Sequence, residues 1–345
     1  MAPFTARECQ TRCICLGMKA MNEVSRGSSN RVRKRKRRKG KVAQILEYGV
    51  VSALISVIRM TPFRVNHFLS RLFGNILYMA VPRRRTIAIE NLRNAMGSEK
   101  TEEEIRTLAR KSWQSFCLTC LEIVIFQDFF KSQDVREGLR RLEDLESLFQ
   151  KAKKLHEETG GCIFVTPHIG NWELLPHVSA VVGIPLVVVA RPLDNVYLER
   201  LVYQKRTDTG QLIVPKKNAL MMLHKTLQQG KSIGLLPDQS IRQGIPVTFF
   251  GRKASTTPVP AILSIMYQRP IVVVACCRKA EGYGFDGVVS EPLWPKNFES
   301  EKEEIFRLTE AMNQTMEGII RKYPEQYFWT HNRWKTYRNA RELFR

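Results

Sequence analysis

Between residues 162 and 275 the chain repeatedly switches hydrophobic period, and that switch limits its folds more than any other feature. Short β-branched runs stand at Cys162–Thr166, Leu186–Val189, Leu212–Val214, Ile233–Leu236, Val247–Phe250 and Ile271–Ala275. Amphipathic stretches lie between several of them, at Val196–Gln204, Ala219–Gln228 and Pro260–Tyr267. Strands separated by helices pair side by side in parallel, with the helices covering the faces. The order predicts an α/β domain with a mixed, mostly parallel sheet flanked by helices, whose functional loops follow the strand ends. Upstream, Thr101 and Glu104 have capping-box spacing and open a long helix that runs to about Phe126. A second helical pattern, Leu142, Leu145, Leu148, Phe149, Ala152 and Leu155, stops at Gly160-Gly161. No internal repeat is visible.

Three regions follow from composition. Residues 1–41 are polar and basic without hydrophobic period, and are expected to form a disordered polybasic tail. Its segment Arg31–Lys41 carries nine basic residues and no acid. Residues 42–82 are apolar and are expected to anchor the chain at a membrane, and residues 83–345 form the α/β domain. Within the apolar region, Tyr48–Ile58 is free of charge, but Glu47 and Arg59 bracket it at eleven residues. A spanning helix needs about 20 apolar residues, so the sequence favours a helical pair lying in the interface or packed on the core. Val65, Phe68, Leu69, Leu72, Phe73, Ile76, Leu77 and Ala80 supply the second helix of that pair. No secretory signal pattern is expected, since the apolar part begins only after residue 41.

The whole chain has 55 Lys and Arg against 33 Asp and Glu, a formal charge of +22. Such an excess attracts polyanions: anionic lipid, nucleic acid or acidic proteins. The basic run could also be a solvated tail. Its place directly before apolar helices favours an anionic membrane surface, where each Lys or Arg contributes about 1 kcal/mol. With no basic-aromatic readout module elsewhere, no nucleic-acid partner is expected. The eight cysteines are too sparse for a disulfide framework and suggest a reducing compartment. Cys117 and Cys120 have metal-site spacing, but they fall on one helical stripe with Trp113, Phe116, Leu121 and Val124. Both thiols are therefore expected in the core. Paired Cys/His zinc spacings and H-E-x-x-H are missing from the sequence, so neither a metal nor another cofactor is expected.

The segment richest in chemistry is Ile163–Leu175. A buried strand ends at Pro167, His168 follows, and Asn171 is placed to cap a helix starting at Trp172. Glu173 in the first turn can fold back towards His168, and a carboxylate beside an imidazole fixes its tautomer and stabilises the imidazolium. The pair could then serve as general base towards an alcohol. Spacing alone is weak: six histidines give about 0.6 chance occurrences of His-x-x-x-x-acid, and one is found. The bland reading is a histidine bonded within a strand-to-helix turn. Two other strand ends also present polar groups. Arg191, with Asn195 four residues on, follows the second run, and Asp238-Gln239 follows Leu235-Leu236-Pro237. Arg191 could clamp a phosphate or carboxylate, or pair with Asp194 or Asp238. Asp238 could orient a hydroxyl or hold Arg191. Gly230-Lys231-Ser232-Ile233-Gly234 matches a nucleophile elbow, but the run follows the serine where a strand must precede it.

Several segments, in order, resemble the bacterial lipid A late acyltransferase family, the lauroyl and myristoyl transferases related to glycerolipid acyltransferases. They are Asn91-Leu92 with Ala95, Thr166–Leu174, Arg191-Pro192 with Asn195, Leu236–Gln239, Phe249–Gly251 with Ala254 and Thr256, Pro260-Ala261, and Trp329–Lys335. The resemblance covers roughly residues 45–340; the tail lies outside it. It implies transfer of a fatty acyl chain from an acyl-carrier-protein or CoA thioester to a hydroxyl of a lipid A precursor. His168 would be the base and Glu173 its orienting carboxylate, while Arg191, Asn195, Asp238 and Gln239 would line the substrate pocket. A phosphorylated glycolipid acceptor, an acidic carrier and the cytoplasmic face of a bacterial inner membrane would all suit the +22 charge.

Overall fold

The computed structural model describes residues 40–129, 143–190, 195–200, 212–215, 219–280 and 284–335. Residues 1–39 of the expected tail, and Arg191, lie outside this set.

The β-branched runs form strands because residues alternating between two faces can bury both sides of a sheet between helices. Strands β1 (Ile163–Val165), β2 (Leu186–Ala190), β3 (Leu212–Pro215) and β4 (Ser232–Leu235) join two later strands in one six-stranded sheet. Those later strands are β7 (Ile271–Arg278) and β8 (Phe285–Val289), and the order is β3-β2-β4-β1-β7-β8. All neighbours are parallel except β7 and β8. The run at Val247–Phe250, expected beside these, instead belongs to a separate antiparallel hairpin of β5 (Ile245–Phe249) and β6 (Arg252–Thr256). Its partner strand Arg-Lys-Ala-Ser-Thr is polar, so periodicity gave no sign of it.

The first helices in the chain are α1 (Lys41–Met60), α2 (Phe63–Ala80), α3 (Pro82–Met96), α4 (Glu102–Phe129) and α5 (Glu143–Thr159). Those after β1 are α6 (Leu174–Val181), α7 (Ala219–Gln228), α8 (Val259–Tyr267) and α9 (Glu301–Lys322). One sheet face, carrying Ile163, Val165, Ile233, Val273 and Ala275, packs on α3, α4, α7, α8, α9 and the hairpin. The other, carrying Phe164, Val272, Val274 and Cys276, packs on α5 and α6. The capping box on α4 forms as expected: Thr101 N–H donates to Glu104 Oε2 at 2.8 Å, and Glu104 N–H returns to Thr101 Oγ1.

One expectation needs correction. Cys117 is buried, but Cys120 is exposed. The buried stripe of α4 continues through Leu118, Thr119, Leu121 and Glu122, because this helix meets α2 on one side and the loop after β1 on another, and Cys120 falls outside it. The first apolar helix is also longer than its charge-free stretch: α1 is one unbroken helix of 20 residues, long and apolar enough by composition to cross a membrane. Glu47 and Arg59 sit on it without ending it. Both α1 and α2 expose large apolar side chains, among them Val50, Leu54 and Val57 on α1 and Phe68, Leu72 and Ile76 on α2.

Candidate active site

Strands β1 and β4 are parallel neighbours with Val165 opposite Leu235. Three residues beyond each lie His168 and Asp238, so the register alone brings the two side chains to one point. They meet where the strand order reverses, since the chain leaves β1 towards β2 and returns to β4 between them. Open parallel sheets place their ligand crevices at this end of the strands. Asp238 Oδ1 lies 2.7 Å from His168 Nδ1, and Oδ2 accepts the His168 backbone N–H at 2.8 Å. One carboxylate thus fixes both the ring and the backbone that carries it.

The ionised carboxylate can only accept, so its contact assigns the Nδ1 proton and leaves the lone pair of neutral His168 on Nε2. The Gln239 amide nitrogen stands 3.4 Å from Nε2, at the far limit of a hydrogen bond. Trp172 meets the ring edge-on with centroids 5.2 Å apart, and Phe328 lies at 6.3 Å. The His168 side chain keeps 19% of its surface exposed, against 2% for Asp238. Burial pushes the imidazole pKa down, but the charge and hydrogen bond of Asp238, with the charge of Glu173 added, carry it above its ordinary value. Burial pushes Asp238 the other way, and His168, its backbone N–H and Arg333 hold the carboxyl below its ordinary value. The two shifts agree in sign, each partner favouring the charged form of the other. Tyr327, fully interior, also interacts with Asp238 through its hydroxyl and is raised well above the ordinary tyrosine range by burial and that charge.

The expected residues separate on the structure. His168, Asp238 and Gln239 converge. Glu173 is half-buried and acts on the imidazole through its charge, while the Nδ1 contact belongs to Asp238. Sequence separation hid this pairing: Asp238 is 70 positions from His168, whereas Glu173 is five away. Asn195 is occupied by the fold. Its Oδ1 accepts from the N–H groups of Tyr197 and Leu198, and its amide donates to Gln44 O at 2.9 Å and Glu47 Oε2 at 3.1 Å on α1. It caps a turn and ties it to α1. Asn171 does not cap α6, which begins at Leu174; its amide donates to Glu122 Oε2 at 2.8 Å. Ser232 is interior, with Oγ 2.9 Å from His156 Nδ1 and accepting the Cys162 N–H, a structural role. Among the described residues no cluster of three or more His, Cys, Asp or Glu is placed to hold a metal.

The turn that carries His168 depends on Gly170. Its φ is +57°, and a Cβ there would stand 2.1 Å from Cys276 O. Left-handed backbone and a blocked side chain act together. Gly170→Ala is expected to lower stability by about 2–5 kcal/mol, from the strain and the forced shift of β7. Denaturant unfolding measures this, and a variant within about 0.5 kcal/mol of wild type would contradict the close approach.

A family model described as bacterial lipid A biosynthesis acyltransferase matches residues 35–336. The chain belongs to this family. It is 24% identical over 278 residues to the lipid A biosynthesis palmitoleoyltransferase of Escherichia coli, covering 80% of this chain and 86% of that one. A lipid A biosynthesis acyltransferase of Shigella flexneri matches to the same extent. The lauroyltransferase of lipid A biosynthesis in Escherichia coli is 24% identical over 284 residues, covering 80% of this chain and 87% of its own. The chain is therefore an acyltransferase. Segments that carry the resemblance meet in space around the crevice. The Asn91 amide donates to the carbonyls of Trp329 and His331, Phe328 N–H to His168 O, and Ser240 N–H to His331 Nε2. The interior Arg333 holds Ser255 O at 3.0 Å and Thr256 Oγ1 at 2.6 Å. Sequence reasoning gave no individual role to Tyr327, His331 or Arg333; the run Trp329–Lys335 was the signal for the last two, and Tyr327 lies just before it.

Proposed function

We propose that this acyltransferase moves a fatty acyl chain from an acyl-carrier-protein or CoA thioester to a hydroxyl of a lipid A precursor, with His168 as general base. One observation carries the reading: Asp238 takes Nδ1 and leaves the Nε2 lone pair for a substrate hydroxyl. An alcohol proton is held too tightly to leave unaided near neutral pH, so a positioned base is needed. As the hydroxyl oxygen attacks the thioester carbonyl, its proton passes to Nε2, and Asp238 and Glu173 stabilise the imidazolium. The tetrahedral intermediate then expels the thiolate, which takes that proton back. The products are an ester and a free thiol, and the enzyme returns to its starting state. Arg191 is proposed to bind an anionic group of the substrate, and Gln239 to lie against the reacting hydroxyl.

We place the enzyme on the cytoplasmic face of the bacterial inner membrane, supported by the exposed apolar faces of α1 and α2 and by the +22 charge. Moving one exposed apolar side chain into lipid contributes about 1.5–3 kcal/mol. Phe68→Glu with Ile76→Glu is expected to reduce partitioning onto anionic vesicles by about tenfold or more. Unchanged sedimentation with vesicles would remove α2 from the membrane contact.

Mass spectrometry of the lipid product tests the reaction. Purified enzyme with acyl-carrier-protein thioester and a tetra-acylated lipid A precursor should add the mass of one acyl chain. No gain with either carrier-protein or CoA donors would overturn the acceptor, and gain with CoA alone would overturn the carrier protein.

A further inference from the structure

Next to the turn that carries His168 lies an ion pair that the proposed reaction does not use. Glu122 on α4 is 1% exposed and Arg278 at the end of β7 is 13% exposed. The guanidinium grips both carboxylate oxygens, Nε to Oε1 at 2.9 Å and Nη2 to Oε2 at 2.5 Å. Its remaining donors reach Ser115 Oγ at 3.0 Å and Thr119 Oγ1 at 2.6 Å. A buried pair of charges is a poor way to gain stability, since apolar residues of similar volume often do as well. What distinguishes this pair is the set of groups it holds.

Several bonds that leave the pair lead to the turn carrying His168. Glu122 Oε2 also accepts the Asn171 amide at 2.8 Å. Thr119 Oγ1, gripped by Arg278, donates to Gly170 O at 2.7 Å. The Arg278 backbone N–H donates to Gln326 Oε1, and the Gln326 amide returns to Arg278 O. Gln326 O in turn accepts the Gly170 N–H at 3.2 Å, and Phe328 N–H donates to His168 O at 2.9 Å. The turn from His168 to Asn171 is thus bonded to α4, to β7 and to the 324–328 segment, and α4 and β7 are locked to each other by the pair.

We infer that Glu122, Arg278 and Thr119 are positioning residues, a charged mount that holds the 168–171 turn so that His168 faces Asp238 and the substrate hydroxyl. This rests on the proposed role of His168 as base. A base displaced by about an ångström can lose on the order of a hundredfold in rate without direct contact between the altered residue and substrate. The mount acts on chemistry rather than on substrate affinity, so its loss falls on kcat and leaves KM near wild type.

Thr119→Val tests this most cleanly, because it removes one oxygen and keeps shape and the ion pair. It is expected to lower kcat about tenfold with KM unchanged. The groups bearing on His168 are Asp238, Glu173 and His331, with Arg333 and Tyr327 reaching Asp238. None is altered by the substitution. If the turn drifts, His168 loses part of its contact with Asp238, and the acid limb of the kcat–pH profile moves to lower pH. Glu122→Gln should show the same pattern more strongly, with a fall in melting temperature, and Arg278→Lys should recover only part of the loss because a point charge cannot replace the fork. A structural role alone would lower melting temperature while kcat per folded molecule and the acid limb stay at wild-type values; that outcome overturns the mount. If His168→Ala in the same assay keeps wild-type turnover, the base assignment fails first, and the two failures are thereby told apart.

Discussion

His168→Ala is expected to lower acyl transfer by about 10²–10⁴-fold while leaving the protein folded. The sign and size follow from the position of the ring. Its Nδ1 is fixed by Asp238, its Nε2 is the acceptor, and Gln239 at 3.4 Å from Nε2 carries an amide that cannot act as a base. The neighbouring imidazole, His331, has Nε2 accepting the Ser240 N–H and a pKa pushed down by burial. It cannot substitute without giving up that bond. The backbone of residue 168 would keep its bonds to Asp238 and Phe328, so the turn survives truncation. Circular dichroism and turnover measured together check this, and wild-type turnover in a folded variant would end the mechanism.

Asp238→Asn is expected to cost on the order of 10³–10⁴-fold, close to the loss of the histidine itself. An amide can donate to Nδ1, which reverses the tautomer and places the proton on Nε2, where the lone pair is needed. The pH dependence carries a second sign. The folded pKa of His168 is raised, and only its neutral form accepts a proton. Wild-type kcat should therefore rise with pH through a value above the ordinary histidine value, and in Asp238→Asn that limb should move to lower pH. The stability contribution of the pair runs between two bounds. The part carried by His168 is present below its unfolded value and fades as pH rises through the raised one. The part carried by Asp238 is present above its unfolded value and is lost as pH falls through the depressed one. Glu173→Ala should lose less than Asp238→Asn, since Glu173 acts on the ring through its charge. The reverse ranking would hand the orienting role to Glu173.

Periodicity located the main sheet because buried parallel strands are continuous β-branched runs. It could not show that Val247–Phe249 leaves that sheet for a hairpin, since the partner strand is polar and marked only by Gly251 and its turn. It did not find β8, where Asp286 and Gly287 interrupt the apolar run. The proposed base, His168, was legible as the residue after a strand end. Local spacing pointed to Glu173 as its carboxylate, whereas the carboxylate in contact with Nδ1 is that of Asp238, brought there by a register between β1 and β4. Asn195 illustrates the converse: a polar residue after a strand invites a substrate, yet here its amide is spent on α1. Glu122 and Arg278 were invisible for a simpler reason. Two charges 156 positions apart carry no pattern until the fold closes them together.

The most direct test of the central claim is single-turnover acyl transfer from carrier-protein thioester to lipid A precursor, followed across pH with wild type and Asp238→Asn side by side. A wild-type acid limb above the ordinary histidine value, shifted down and joined to a large loss of rate in the variant, is the predicted result. A profile without that limb, or an Asp238→Asn variant with wild-type rates at every pH, would contradict a base held by Asp238.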